Sequence, residues 1–107
     1  MPIRQQFLEQ DGMMQTHFDI TPIMSTYIVA IVMSDFVRVP NANKTINMWC
    51  KSSLTSKVKF AHGIAEKVVE FLIQYTNNSQ KVPKMDHVLI SNFTVGGMEN
   101  WGLIIYK

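Results

Sequence analysis

The chain lacks most of what would place it by simple inspection. A single cysteine, Cys50, stands among 107 residues, so no internal disulfide can form and a metal cluster built from several thiolates is excluded. That leaves Cys50 as a small core residue, with a reactive thiol as the alternative. No apolar run is longer than the seven residues Tyr27-Ile28-Val29-Ala30-Ile31-Val32-Met33, far short of the roughly 20 that a membrane-spanning helix needs. Met1-Pro2-Ile3-Arg4-Gln5-Gln6 lacks the basic-then-apolar pattern of a signal peptide. Charge of one sign is missing too: the net charge is +2 and the basic residues are scattered, which calls for neither nucleic acid nor an acidic membrane surface. There is no Gly-rich phosphate loop, no His-Glu-x-x-His pair, no internal repeat and no low-complexity tract.

What remains is globular. With 47% hydrophobic and 17% charged residues, the chain can build a core of its own, and its length fits at most about one ordinary domain. The first dozen residues are polar and end in the turn signal Asp11-Gly12. Met14, Thr16 and Phe18 alternate with polar residues, which predicts a half-buried strand that Thr21-Pro22 breaks. Ser25 to Val37 is nearly all apolar and β-branched, predicting a long strand buried on both faces. A surface loop follows at Pro40-Asn41-Ala42-Asn43-Lys44, and then a strand with Ile46, Met48 and Cys50 on one side.

After Cys50 the period changes. Ala61, Ile64, Ala65, Val68, Leu72 and Tyr75 recur at three- and four-residue steps, predicting a helix over about Ser56 to Tyr75 with these residues as its buried stripe. Thr55 or Ser56 can cap its start, and Asn77-Asn78 can stop it. Gly63 inside the helix predicts a close packing contact there. Lys81-Val82-Pro83-Lys84 is a connector, Val88-Leu89-Ile90 a short buried strand, and Leu103 to Tyr106 another. The resulting order predicts an α+β fold, with the helix covering one face of a sheet. His62 and Glu66, four apart on that helix, make a surface pair or, alternatively, two metal ligands. His17 and His87 follow strand alternation and are expected to be exposed or hydrogen-bonded.

The stretch Gly96-Gly97-Met98-Glu99-Asn100 combines two glycines with one isolated carboxylate just before the last strand. On spacing alone it is a turn or bulge, or a place where another backbone can approach closely beside a negative charge. Three acceptor sequons, Asn43-Lys44-Thr45, Asn77-Asn78-Ser79 and Asn92-Phe93-Thr94, lean towards an extracellular setting with N-glycosylation at Asn43, Asn77 and Asn92.

Gly97-Met98-Glu99-Asn100-Trp101-Gly102-Leu103, preceded by Gly96, resembles the exopeptidase motif Gly-Ala-Met-Glu-Asn of the zinc aminopeptidases of the aminopeptidase N type, family M1. Thr21-Pro22-Ile23-Met24-Ser25-Thr26-Tyr27-Ile28-Val29-Ala30 is similar to that family's Thr-Thr-Pro-x-Met-Ser-Thr-Tyr-Leu strand. Lys84-Met85-Asp86 followed by Asn92-Phe93 is similar to its Lys-Leu-Asp and Asp-Phe segment. The three blocks stand in the family's order and span about Thr16 to Lys107.

The resemblance implies the end of an N-terminal all-β domain, residues 1–47, followed by the start of a thermolysin-like catalytic domain, residues 48–107. It further implies that Gly96, Gly97, Met98, Glu99 and Asn100 bind substrate on an edge strand. Glu99 would receive the free α-amino group of a peptide, Asn100 would help to position that group or the scissile carbonyl, and Met98 would line the first pocket or the core. Trp101 is assigned to packing. Gly97 stands where the family usually has Ala, which loosens the strand.

The family's zinc ligands, general base and oxyanion-stabilising Tyr all follow the motif, and the chain ends seven residues after Asn100. The expectation is therefore a piece of a zinc metalloaminopeptidase in which the complete enzyme holds zinc, while this chain binds no metal, contains no catalytic residue and is inactive alone. Its expected partners are a peptide with a free N-terminus and the remainder of the catalytic domain. Its expected place is the extracellular face of the plasma membrane or a secreted ectodomain, with a cytoplasmic setting as the alternative. The alternative function is a non-catalytic peptide-binding module or remnant. A small α+β protein outside the family is the third reading.

Overall fold

The computed structural model describes residues 1–78 and 82–107. Ser79, which completes one sequon, and Lys81 of the connector lie outside the described residues. A first hairpin pairs β1 (Ile3–Leu8) with β2 (Met14–Phe18). Its turn is built as Asp11-Gly12 predicts, with Gly12 at φ +82 and the Met13 amide donating to Asp11 Oδ1 at 2.9 Å. The polar run Arg4-Gln5-Gln6 conceals β1 from a hydrophobicity pattern, and only Thr16 of β2 is even half-buried. Met14 and Phe18 stay exposed because the hairpin bonds mainly to itself.

The main body is a five-stranded mixed sheet. It contains β3 (Val37–Pro40), β4 (Ile46–Cys50), β5 (Met85–Leu89), β6 (Gly97–Asn100) and β7 (Leu103–Tyr106), in the spatial order β3-β4-β5-β7-β6. The two outer pairs are antiparallel and the two inner pairs are parallel. A parallel pair needs a crossover, and α1 (Val58–Thr76) supplies it between β4 and β5. The architecture is α+β, as the order of elements predicts.

Period-2 alternation gives the sheet two different faces. Met48, Cys50 and Val58 form the buried core under α1, with Val39, Leu54, Ala65 and Leu89 packed against it. Cys50 is fully buried and acts as a core residue. On the opposite face lie Arg38, Asn47, Trp49, Asp86 and Val88. Beside them the N-terminal segments leave a groove of about 880 Å³ whose lining includes Ile28, Val32, Trp49 and Trp101.

Three expectations are corrected here. Ser25 to Val37 is not a buried strand. Thr26–Ile28 form one short turn, and residues 28–33 then alternate half-buried with exposed, so Ile31 is 85% exposed and Met33 93%. A strand needs a neighbour for its main-chain groups, and this segment is tied to the sheet through Trp101 N–H donating to Ile28 O at 3.2 Å.

The helix also turns a different stripe inward. Of the expected residues only Ala65 faces the sheet, together with Val58, His62, Val69 and Ile73, whereas Ile64, Val68, Leu72 and Tyr75 are exposed. The helix is apolar almost all round, so two stripes satisfy the same spacing and the sheet selects one. Its start, at Val58, carries no side-chain cap because Lys57, and neither Thr55 nor Ser56, occupies the cap position; Thr55 Oγ1 donates to Ser52 O at 3.0 Å. Its stop is as expected, with Asn77 in the left-handed conformation at φ 49.

Finally, Gly63 makes no close contact, because a Cβ placed there would meet nothing within 4 Å.

Candidate functional site

The stretch that combines two glycines with a carboxylate is β6, and it lies at the edge of the five-stranded sheet. Its one paired strand is β7, with Gly97 opposite Tyr106, Met98 opposite Ile105, Glu99 opposite Ile104 and Asn100 opposite Leu103, and the short turn Thr26–Ile28 lies beside it. Gly96 precedes the strand and its carbonyl accepts from the Lys107 amide at 3.3 Å. The other hydrogen-bonding side of β6 has no partner strand among the described residues. A free edge of this kind is what an added peptide strand pairs with.

The five residues do not converge on one point. Alternation places Gly97 and Glu99 on the face that α1 covers elsewhere, and Met98 and Asn100 on the other. Glu99 is exposed, Met98 is half-buried and Asn100 is 5% exposed. Asn100 Oδ1 is buried without a hydrogen-bond partner. The accessible polar features are therefore the main-chain edge and the Glu99 carboxylate, while the Asn100 amide lies under the sheet's opposite face.

The turn after β6 is Trp101-Gly102, with Gly102 at φ +67. Its carbonyl accepts from the Asp86 amide at 3.0 Å and from Lys84 Nζ at 3.1 Å. Lys84 Nζ also meets Asp86 Oδ2 at 2.5 Å. Asp86 Oδ1 accepts from Asn47 Nδ2 at 2.7 Å, and Asn47 Oδ1 accepts from Arg38 Nε at 2.9 Å. Four side chains thus form a line from β3 through β4 and β5 to the turn beside Asn100. Sequence reasoning gave Lys84 and Asp86 no role and missed Arg38 and Asn47. A single signal was present in Asn47, an amide between the buried Ile46 and Met48 of a core strand.

Beneath the same sheet face as Glu99 sits a second polar group. His87 is 5% exposed, its Nδ1 lies 3.2 Å from Tyr106 Oη, and the two rings stack at 5.6 Å between centroids with 4° between planes. His87 Nε2 has no partner. Burial holds the His87 pKa below its ordinary value, against the opposing pull of the Asp86 charge, and His62 lowers it further. Burial also pushes the Tyr106 pKa up. His62 does not form the expected surface pair with Glu66: it turns towards the sheet, with Nε2 3.3 Å from Ile46 O. His17 is exposed, with its ring edge-on to Phe7.

A depressed His87 pKa links folding to pH in one direction. Below the unfolded value of 6.5 the unfolded chain binds a proton that the folded chain refuses, so stability present above that pH is lost as pH falls towards the folded pKa. Urea midpoints measured from pH 7.5 to 5 should fall more steeply for the native sequence than for His87→Phe. Parallel curves would show that His87 does not carry the effect.

Among the described residues no group of three or more His, Cys, Asp or Glu side chains gathers to hold a metal ion. The side chains described do not fit a zinc site. Asn43 is exposed in the turn between β3 and β4, Asn92 is exposed in the turn after β5, and Asn77 is exposed at the end of α1.

The class the fold defines is an α+β protein with a helix-covered mixed sheet and an exposed carboxylate on its edge strand. Comparison with known proteins makes the class specific. Residues 60–107 match the peptidase family M1 domain. Endoplasmic reticulum aminopeptidase 1 of Mus musculus is 34% identical over 110 residues, covering 100% of this chain and 12% of that protein. Aminopeptidase N of Bos taurus is 33% identical over 98 residues, covering 86% of this chain and 10% of that protein. Aminopeptidase N of Plutella xylostella is 32% identical over 114 residues, covering 100% and 12%. The chain belongs to peptidase family M1. It spans about 12% of the length of the first of these relatives. No helix among the described residues is long and apolar enough to cross a membrane.

Proposed function

We propose that this chain supplies the substrate-amine recognition strand of a zinc metalloaminopeptidase that removes N-terminal residues from peptides. The observation that carries the reading is the exposed Glu99 carboxylate on the open edge strand β6, within the residues that match the family. A peptide pairing with β6 gains main-chain hydrogen bonds along Gly97 to Asn100. Its α-ammonium group is received by Glu99. Charged hydrogen bonds are about twice as strong as neutral ones, and an acetylated or internal peptide presents no cation there. Glu99 thus measures one residue from the chain end.

Residues 1–47 are assigned to the end of an N-terminal β domain and 48–107 to the start of the catalytic domain, with β3 and β4 bridging the division. Zinc and the water-activating groups belong to other parts of the complete enzyme. Turnover by these 107 residues alone is not expected, because metal-ligating side chains do not gather among those described. The same observation favours the second reading, a peptide-binding module without hydrolase activity. The extracellular or secretory assignment rests on the exposed asparagines of the sequons at Asn43 and Asn92 and on the endoplasmic reticulum in the name of one relative.

The test compares binding of one peptide with a free N-terminus and its N-acetyl form to the full chain and to Glu99→Gln. A hydrogen bond to a charged group contributes about 1.5–3 kcal/mol, so the free form is expected to bind about 10–100-fold more tightly to the native chain. Glu99→Gln should remove most of that preference. Equal affinities for the native chain would overturn the reading. Zinc content and release from an amino-acid anilide then separate the two readings, since stoichiometric metal with turnover would refute the inactivity of the chain.

A further inference from the structure

We infer that Lys84 and Asp86 are positioning residues for the edge strand β6, held in place by Asn47 and Arg38; the functional part of this inference rests on the reading of Glu99 given above. Strand β6 pairs with one strand, β7, and its other side must stay open if a peptide is to pair there. Its placement therefore depends on β7 and on the turn that joins them. That turn is held to the N-terminal segment by the Trp101 amide, which donates to Ile28 O at 3.2 Å, and to the sheet by the Gly102 carbonyl, which accepts from the Asp86 amide at 3.0 Å and from Lys84 Nζ at 3.1 Å.

The amide bond belongs to the β5–β7 ladder, whereas the Lys84 bond is an addition made by a side chain only 17% exposed. Asp86, 13% exposed at its side chain, neutralises Lys84 with one oxygen and takes the Asn47 amide with the other at 2.7 Å. Asn47 is in turn held by Arg38 Nε at 2.9 Å. The line of four residues thus runs from one edge of the sheet to the turn at the other.

What this line controls is the face on which Glu99 emerges. Side chains alternate along a strand, so a slip of one residue between β6 and β7 would move Glu99 to the buried face and Asn100 to the exposed one. With Gly96 and Gly97 at the start of β6, few side-chain contacts oppose such a slip, and the clamp on Gly102 opposes it from the other end.

The charges of the pair also allow positioning to be separated from stability. Removing one partner leaves a partly buried charge unpaired, whereas replacing both with apolar residues of similar size often restores stability. The full chain carrying Lys84→Met together with Asp86→Asn, which removes both charges while an amide oxygen still accepts from the buried Asn47, should therefore unfold near the native urea midpoint while losing the clamp. In that variant the preference for a free over an N-acetylated peptide should fall about tenfold, the size of effect expected for one hydrogen bond to a charged group. The Met98 and Asn100 amides, which alternation directs at β7, should exchange with solvent about tenfold faster.

Lys84→Arg, which keeps donors for both oxygens, should retain the preference that Lys84→Met alone loses. Native-like preference and exchange in the double variant would overturn the inference, as would equal preference in Lys84→Arg and Lys84→Met should the double variant fail to fold. If the native chain itself shows no preference, the reading of Glu99 fails, while the exchange rates still decide whether the clamp positions β6.

Discussion

Gly102→Ala is expected to destabilise the chain by about 2–4 kcal/mol. Two costs add. Gly102 sits at φ +67, a left-handed conformation that costs a residue with a Cβ about 1–2 kcal/mol. A Cβ there would also stand 3.1 Å from Val82 Cγ1 and 3.2 Å from the Lys84 carbonyl oxygen. Val82 can swing aside, but the Lys84 oxygen is backbone and moves only with the start of β5, which makes about 1–2 kcal/mol of overpacking a reasonable addition.

Gly97 is the control. A Cβ at Gly97 meets Ile105 O and the Tyr106 ring at 3.6 Å, ordinary contact distances, and its φ lies outside the left-handed region. Gly97→Ala should therefore change stability by less than about 1 kcal/mol, on the stabilising side, by restricting the unfolded chain. It should also stiffen the edge strand at the position where the resembling family carries Ala. Urea unfolding of the two variants decides the matter, and equal midpoints would mean that the turn is not the constraint described.

The contrast between the two glycines shows what could be read before the fold was known. Ile46, Met48 and Cys50 announced their strand and their burial because alternation is a local signal with one solution. The apolar run before Tyr106 and the stop at Asn77 were equally legible. The helix was legible as a helix but not in its orientation, because Phe60, Ile64, Val68 and Phe71 satisfy the helical period as well as Val58, Ala65 and Val69 do. Only the position of the sheet chooses between them.

Ser25 to Val37 failed for a related reason. β-branched composition states a preference for extended backbone, but a strand also requires a partner, and partners are not local. At the candidate site, the motif marked Glu99 and Asn100 together, and alternation along β6 then separated them onto opposite faces. The line Arg38-Asn47-Asp86-Lys84 joins residues up to 48 positions apart, as Asn47 and Asp86 at |i−j| = 39 already show, and no local pattern brings them together.

The 107-residue chain is expected to self-associate at concentrations of tens of micromolar rather than remain a monomer. Two separate surfaces drive this. On α1, Phe60 is 78% exposed, Phe71 61% and Tyr75 78%, and the last two stack with ring centroids 5.8 Å apart, forming a continuous apolar face on the side away from the sheet. In the segment before β3, Ile20, Ile23, Ile31 and Met33 are each at least 85% exposed, and the extended stretch 28–33 offers main-chain groups to any strand that approaches. Burying a side chain of this size contributes about 1.5–3 kcal/mol, so a second copy covering even half of these residues would offset the ordinary cost of association. Replacing Ile31 and Met33 with Lys places charge on the strand-like segment and leaves the core under α1 untouched, which should shift the population towards monomer. Phe71→Lys should do the same for the helix face. Sedimentation velocity at 10 and 100 micromolar measures the outcome directly: a single monomer boundary at both concentrations for the native chain would show that these faces do not drive association, and association unchanged by all three substitutions would place the contact elsewhere on the molecule.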